Sequence, residues 1–154
     1  MTPYATPTRT VFCPGFTLVE LLVAIAIIGI LASIAVPSYG AYMMRSRVLD
    51  AVAKLSDHRT RMEQYFLDRR TYIDDVGNCG IAPPAAPESA DSFVVACAAT
   101  SKAYLVTATG IAAKGMIGFT YTIDEAGARV TSSVPKGWLR TTDCWTVRPD
   151  GSCV

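Results

Sequence analysis

Residues 21–36 run for 16 positions without a charge, and Ser33 is the only hydroxyl among them. Extended back to Phe16, the segment is 21 residues long and is interrupted only by Thr17 and Glu20. A helix of about 20 apolar residues, rising roughly 1.5 Å at each, spans the hydrocarbon core of a bilayer. A helix in a soluble core needs only one apolar stripe, whereas this one is apolar on every side. Residues 16–36 therefore read as a single membrane span.

The remainder must supply whatever folds outside the bilayer. At 154 residues there is room for one modest domain besides the span. Charged residues make up 18% of the chain, below the usual share of about 25%, and apolar residues make up 51%. That balance excludes a charged disordered tail. With 14 Lys and Arg against 13 Asp and Glu, the net charge of +1 gives no global field for nucleic acid. His58 is the only histidine, so a multi-histidine metal site is excluded and a Ser-His-Asp triad would depend on that one residue. No catalytic residue, cofactor or metal is expected.

Residues 1–15 hold three prolines and one basic residue, lack any helical or strand period, and end in Pro14-Gly15, as a leader outside the fold would. Beyond Pro37, Val48, Val52, Leu55, Met62 and Phe66 recur near helical spacing to about residue 72, with charges filling the other faces. Asp50 with Lys54 and Asp57 with Arg61 are i,i+4 pairs of favourable polarity. Joined to the span this makes one helix of over 50 residues. A break, as a kink or local melting, is expected between Gly29 and Pro37. Residues 77–91 read as loop. Five short runs then favour strand: 92–98, 103–108, 119–123, 129–131 and 145–147. The fold class is α+β, a long N-terminal helix packed on a small antiparallel sheet. The domains are a leader at 1–15, the span at 16–36 and the folded domain at 37–154.

Cys13 lies in the leader; without it Cys79, Cys97, Cys144 and Cys153 remain, an even number that suits an oxidising compartment. Three pairings are open, and chain order favours Cys79–Cys97 and Cys144–Cys153. Zinc is the competitor, but the spacings of 17 and 8 intervening residues contain no Cys-x-x-Cys.

Gly15-Phe16-Thr17-Leu18-Val19-Glu20-Leu21, followed by an apolar run to Pro37, resembles the class III signal of type IV pilins. Residues 118–122 (GFTYT), Trp138, Cys144-Trp145 and residues 150–153 (DGSC) are similar to PilE-type minor pilins of Gram-negative bacteria. The leader departs from the family pattern in placing its nearest basic residue, Arg9, well before Gly15. The resemblance implies a structural subunit, a minor pilin of a type IV pilus serving adhesion, twitching motility or DNA uptake. It implies cleavage between Gly15 and Phe16 by prepilin peptidase, N-methylation of Phe16, and assembly with other pilin subunits on an inner-membrane platform. The precursor would cross the inner membrane once with its C-terminal domain in the periplasm, and would end in an extracellular pilus. Positive-inside counting, Arg9 against Arg45 and Arg47, weakly opposes that orientation; the cysteines support it.

Glu20 carries the strongest chemical constraint. A carboxylate within a span costs roughly 2.5–3.5 kcal/mol on insertion scales. No Lys, Arg or His lies between Phe16 and Met44, so a cationic partner has to come from elsewhere. Cleavage would create one, the α-amine of Phe16, on the same or a neighbouring chain. The resemblance implies that Glu20 neutralises the amine of an adjacent subunit during assembly; the bland reading is a glutamate that snorkels to the interface. Gly29 and Ser33 have small-xxx-small spacing for close helix approach. The flanking charges place His58 on a solvated helix face. Tyr42, Tyr65, Phe66 and Tyr72 are expected in the core, and Asp74-Asp75 in a capped turn. Lys102, Lys114, Arg129, Lys136, Arg140 and Arg148 could supply a DNA-contacting patch, but six acidic residues, including Glu88, share that region and favour a mixed surface.

Two further readings compete. A type II secretion pseudopilin would share the signal, and a DNA-binding minor pilin for transformation would use the cations. An ordinary secreted protein cut near residues 33–35 would have too long an apolar region, with Glu20 inside it.

Overall fold

The computed structural model describes residues 16–83 and 91–154, apart from the side chains of residues 36–38. The leader, with Cys13 and Gly15, and Glu88 lie outside the described residues, as does the side chain of Pro37. Helix α1 (Leu18–Arg69) is followed by strands β1 (Phe93–Ala99), β2 (Tyr104–Gly110), β3 (Thr120–Asp124) and β4 (Arg129–Ser133). The chain divides into two compact units, the second beginning at Gly40.

In the first unit the apolar residues of α1 stand exposed, and the helix is long and apolar enough to cross a membrane. The helix runs unbroken through Gly29 and Pro37, so the local melting expected there is absent. A proline removes one backbone hydrogen bond, and the bonds on either side of it sustain the ladder. Ser33 turns its hydroxyl onto the Ile30 carbonyl at 2.7 Å, so its polar atom is used within its own helix.

In the second unit the core follows from two periods. Along α1, Val48, Ala51, Leu55, His58 and Met62 are buried at alternating steps of three and four. On the sheet, Phe93 and Val95 of β1, Tyr104, Val106 and Ala108 of β2, and Tyr121 and Ile123 of β3 are buried at every second position. Apart from His58, both sets belong to one cluster with Phe119, Trp145 and Val147. The register stacks them: Val106 lies opposite both Cys97 and Ile123, and Ala108 opposite both Val95 and Tyr121.

The sheet is an antiparallel meander in the order β1-β2-β3-β4. Four of the five expected runs are strands. Residues 145–147 are not one: Thr146 makes a single bridge to Cys153, and Trp145 exchanges backbone hydrogen bonds with Val154 at 3.1 and 3.0 Å. Their alternation arose from core filling rather than from sheet pairing. Trp145 is buried and donates its indole N–H to the Thr122 carbonyl at 2.9 Å. Thr131 and Thr146, both buried, share hydroxyl contacts that fasten this segment to β4.

Candidate functional site

The N-terminal signal begins the helix. The Glu20 backbone N–H donates to Thr17 Oγ1 at 3.2 Å, and the same hydroxyl reaches Glu20 Oε2 at 3.5 Å. Thr17 and Glu20 thus make a variant of the capping box, in which a threonine caps the helix and a glutamate three residues on answers it. The Thr-x-x-Glu spacing was legible in the sequence and gives Glu20 a local role besides that of a charge in a membrane span. Phe16 stands 76% exposed beside it.

Cys79 is joined to Cys97, and Cys144 to Cys153. These are the pairings that chain order favours. The first fastens the α1–β1 connection to the sheet and the second closes the C-terminal loop. Among the described residues there is no cluster of three or more metal-ligating side chains.

The helix ends at Arg69, three residues before the position expected. Arg70 carries its backbone at φ 58°, in the left-handed region, while its N–H still donates to Phe66 O at 2.8 Å. Glycine is the usual residue there because a Cβ costs roughly 1–2 kcal/mol in that conformation. Nothing in the sequence marked Arg70, since no glycine signals the helix end. Immediately beyond it, Tyr72 donates its backbone N–H to Ser101 O at 3.3 Å, bringing the helix end beside the β1–β2 turn. Glu63 clamps the two together, accepting the phenol of Tyr72 at 3.1 Å and that of Tyr104 at 2.9 Å. Burial and the Glu63 hydrogen bond push the Tyr104 phenol well above its ordinary pKa. Exposed Arg69, Arg70 and Lys102 therefore border one braced turn. Phe66 and Tyr72 stack behind it at 4.5 Å between ring centroids.

Other candidates fall elsewhere. The dispersed cations do not form one patch. Lys102 sits at the β1–β2 turn, Lys114 follows β2 in a short 3-10 turn (Ala112–Lys114), and Arg129 lies over the Trp145 ring at 5.0 Å. Arg140 donates to the Ser132 carbonyl at 3.2 Å. Asp74 does make the expected capped turn, its Oδ1 accepting from Val76 N at 3.0 Å and Asn78 N at 2.8 Å.

Two expectations need correction. Tyr42 is 69% exposed rather than in the core, because the buried stripe of α1 starts after it. His58 is not solvated; it is 4% exposed and occupies the stripe position between Leu55 and Met62. The described side-chain atoms buried without a hydrogen-bond partner are its Nε2 and Arg59 Nε. Burial holds the His58 pKa below its ordinary 6.5, with the Asp57 charge acting against that shift and Arg61 adding to it. Lys54 nearby behaves oppositely. Burial works against its ammonium, but hydrogen bonds to Asp91 and Asp50 outweigh that and raise its pKa above 10.5.

Comparison with known proteins bears on both halves of the chain. Residues 13–36 match the prokaryotic N-terminal methylation motif. Residues 37–130 match the family described as type IV minor pilin ComP, DNA uptake sequence receptor. The fimbrial protein EcpC of Eikenella corrodens is 38% identical over 108 residues, covering 69% of this chain and 70% of that one. The type IV major pilin protein PilE of Neisseria gonorrhoeae is 37% identical over 68 residues, which span 44% of this chain and 41% of that protein. Among solved structures, the Neisseria meningitidis non-core minor pilin PilV is similar in fold, with a TM-score of 0.51 and 14% identity over 62% of this chain and 93% of that one. With the methylation motif, the long helix and the four-stranded sheet in place, the chain belongs to the type IV pilin family, as a structural subunit rather than an enzyme.

Proposed function

We propose that this pilin is a minor subunit that receives duplex DNA for uptake, and that the braced turn bearing Arg69, Arg70 and Lys102 touches the phosphates. The match of residues 37–130 to a DNA uptake sequence receptor carries the reading. The geometry supports it. An arginine held where glycine fits without cost is a local strain, and strains of this kind cluster at functional sites. Glu63 and the two tyrosines brace the exposed turn before any ligand arrives, so little ordering is lost on binding. In the same proposal the precursor is cut after Gly15 and methylated at Phe16, Glu20 meets the amine of a neighbouring subunit, and the cysteine-bearing unit faces the periplasm before it is drawn into a pilus.

The test is duplex binding by the full chain in detergent across a salt series. Removing a cation that touches one phosphate should reduce the slope of log affinity against log salt by about one. Arg70→Gly is the informative variant because its two effects have opposite sign. It should raise stability by about 1 kcal/mol as the left-handed strain disappears, yet weaken DNA retention and flatten the salt slope. If Arg70→Gly, Arg69→Gln and Lys102→Gln all bind duplex DNA as the unmodified chain does, the reading fails.

A further inference from the structure

At the end of the second unit opposite the β1–β2 turn, three stretches meet that contain no acidic residue: 40–49, 110–118 and 134–140. Arg47 joins the first two by donating Nη1 to the Lys114 carbonyl at 2.7 Å. The second and third touch where a Cβ at Gly118 would come within 3.3 Å of Pro135, and the ring of Phe119, the next residue along the chain, meets that of Trp138 at 4.7 Å. Together they carry Arg45 and Lys136, both exposed, and Ile117 and Leu139 at 67% and 62% exposure. At their border, Asp50 and Asp91 are both paired with Lys54, while the exposed anion Asp150 lies beside Leu139, whose N–H donates to the Pro149 carbonyl at 3.0 Å, and accepts the Ser152 N–H on Oδ1 at 2.9 Å.

Exposed aliphatic side chains set among exposed cations, on stretches that carry no carboxylate of their own, complement a bilayer surface. The aliphatics enter the acyl boundary while the cations meet anionic headgroups. Duplex DNA would satisfy the cations and leave Ile117 and Leu139 with nothing to contact. Chain connectivity favours the same occupant: the apolar run ends only nine residues before Arg45. We propose that this face of cations and aliphatic side chains docks the folded unit onto an anionic membrane surface while the subunit is still anchored, and so holds it ready for extraction.

Hydroxyl-radical footprinting of the full chain reads the aliphatic side chains directly. One chain per lipid nanodisc is compared in phosphatidylcholine alone and in discs enriched in phosphatidylglycerol. Oxidation of Ile117 and Leu139 should fall about fivefold in the anionic discs, as one well-placed cation near such a surface would give. Val76, 79% exposed at the other end of the unit, serves as the internal reference and should not change. Arg45→Gln with Lys136→Gln alters only exposed side chains and should restore the oxidation. Equal oxidation in both lipids overturns the proposal. So does protection that appears only with a second chain in the disc, which would make the face a subunit contact, or only on adding duplex DNA.

Discussion

Replacing His58 with leucine should stabilise this protein, and increasingly so as the solution is acidified. The imidazole is 4% exposed, fills a core position of α1, and leaves Nε2 without a hydrogen bond. An unpaired buried polar group costs about 1–3 kcal/mol, and leucine restores the apolar stripe at similar volume. A gain of about 1 kcal/mol at pH 7.5 is therefore expected, after allowance for imperfect repacking. The acid dependence follows from proton counting. Because burial depresses the native pKa below 6.5, the unfolded chain takes up the proton first as pH falls. This contribution to stability is fully present above pH 6.5 and declines below it, by up to about 1.4 kcal/mol per pH unit until the native pKa is reached. The groups around the imidazole are Lys54, Asp57 and Arg61 on its own helix, with Ile81, Ala82 and Val95 from the elements packed against it. The other ionisable groups are common to both chains, so a difference in slope between the variant and the unmodified protein reports on His58. Urea unfolding of the detergent-solubilised chain, disulfides intact, at pH 7.5, 6 and 5 measures both effects. A leucine variant that is less stable at pH 7.5, or that keeps the same acid slope, would mean that Nε2 is satisfied and the burial argument is wrong.

Other outcomes follow from the same geometry. Glu20→Gln keeps a side chain able to answer the Thr17 cap but removes the charge, so the chain should insert and fold normally while its recovery in sheared pili falls sharply; unchanged recovery would reduce Glu20 to a helix-capping residue. Gly110→Ala should destabilise by about 2–3 kcal/mol, because the new Cβ would overlap the Met116 carbonyl oxygen, a backbone atom that cannot step aside; thermal unfolding checks this, and a shift within error would show that the β2–β3 connection yields.

The helix, the α+β class and four strands were legible because their periods are local. Val48, Leu55 and Met62 announce a helical stripe by spacing alone, and residues 120–122 announce a strand by residue type. His58 was misplaced because its neighbours Asp57, Arg59 and Arg61 are charged, although the seven-residue step from Leu55 to Met62 leaves room for a buried position between them. Residues 145–147 looked like a strand because Trp145 and Val147 alternate with a polar residue, yet they pair with the chain terminus and not with the sheet. Of the candidate site, the cysteine pairings could be ordered from spacing. The left-handed Arg70 could not, since no glycine marks it and the Tyr72–Ser101 contact that follows it is made only in the tertiary structure.

The strand order has a consequence for how the molecule is made. Every strand pairs with its predecessor in the chain, and the two disulfides span only 18 and 9 positions. A chain delivered N-terminus first can therefore complete each piece of structure from what has already emerged, with no strand held waiting for a later partner. Oxidation of the four cysteines of the folded unit in order of appearance, Cys79 with Cys97 and then Cys144 with Cys153, would give the bonds that the structure holds.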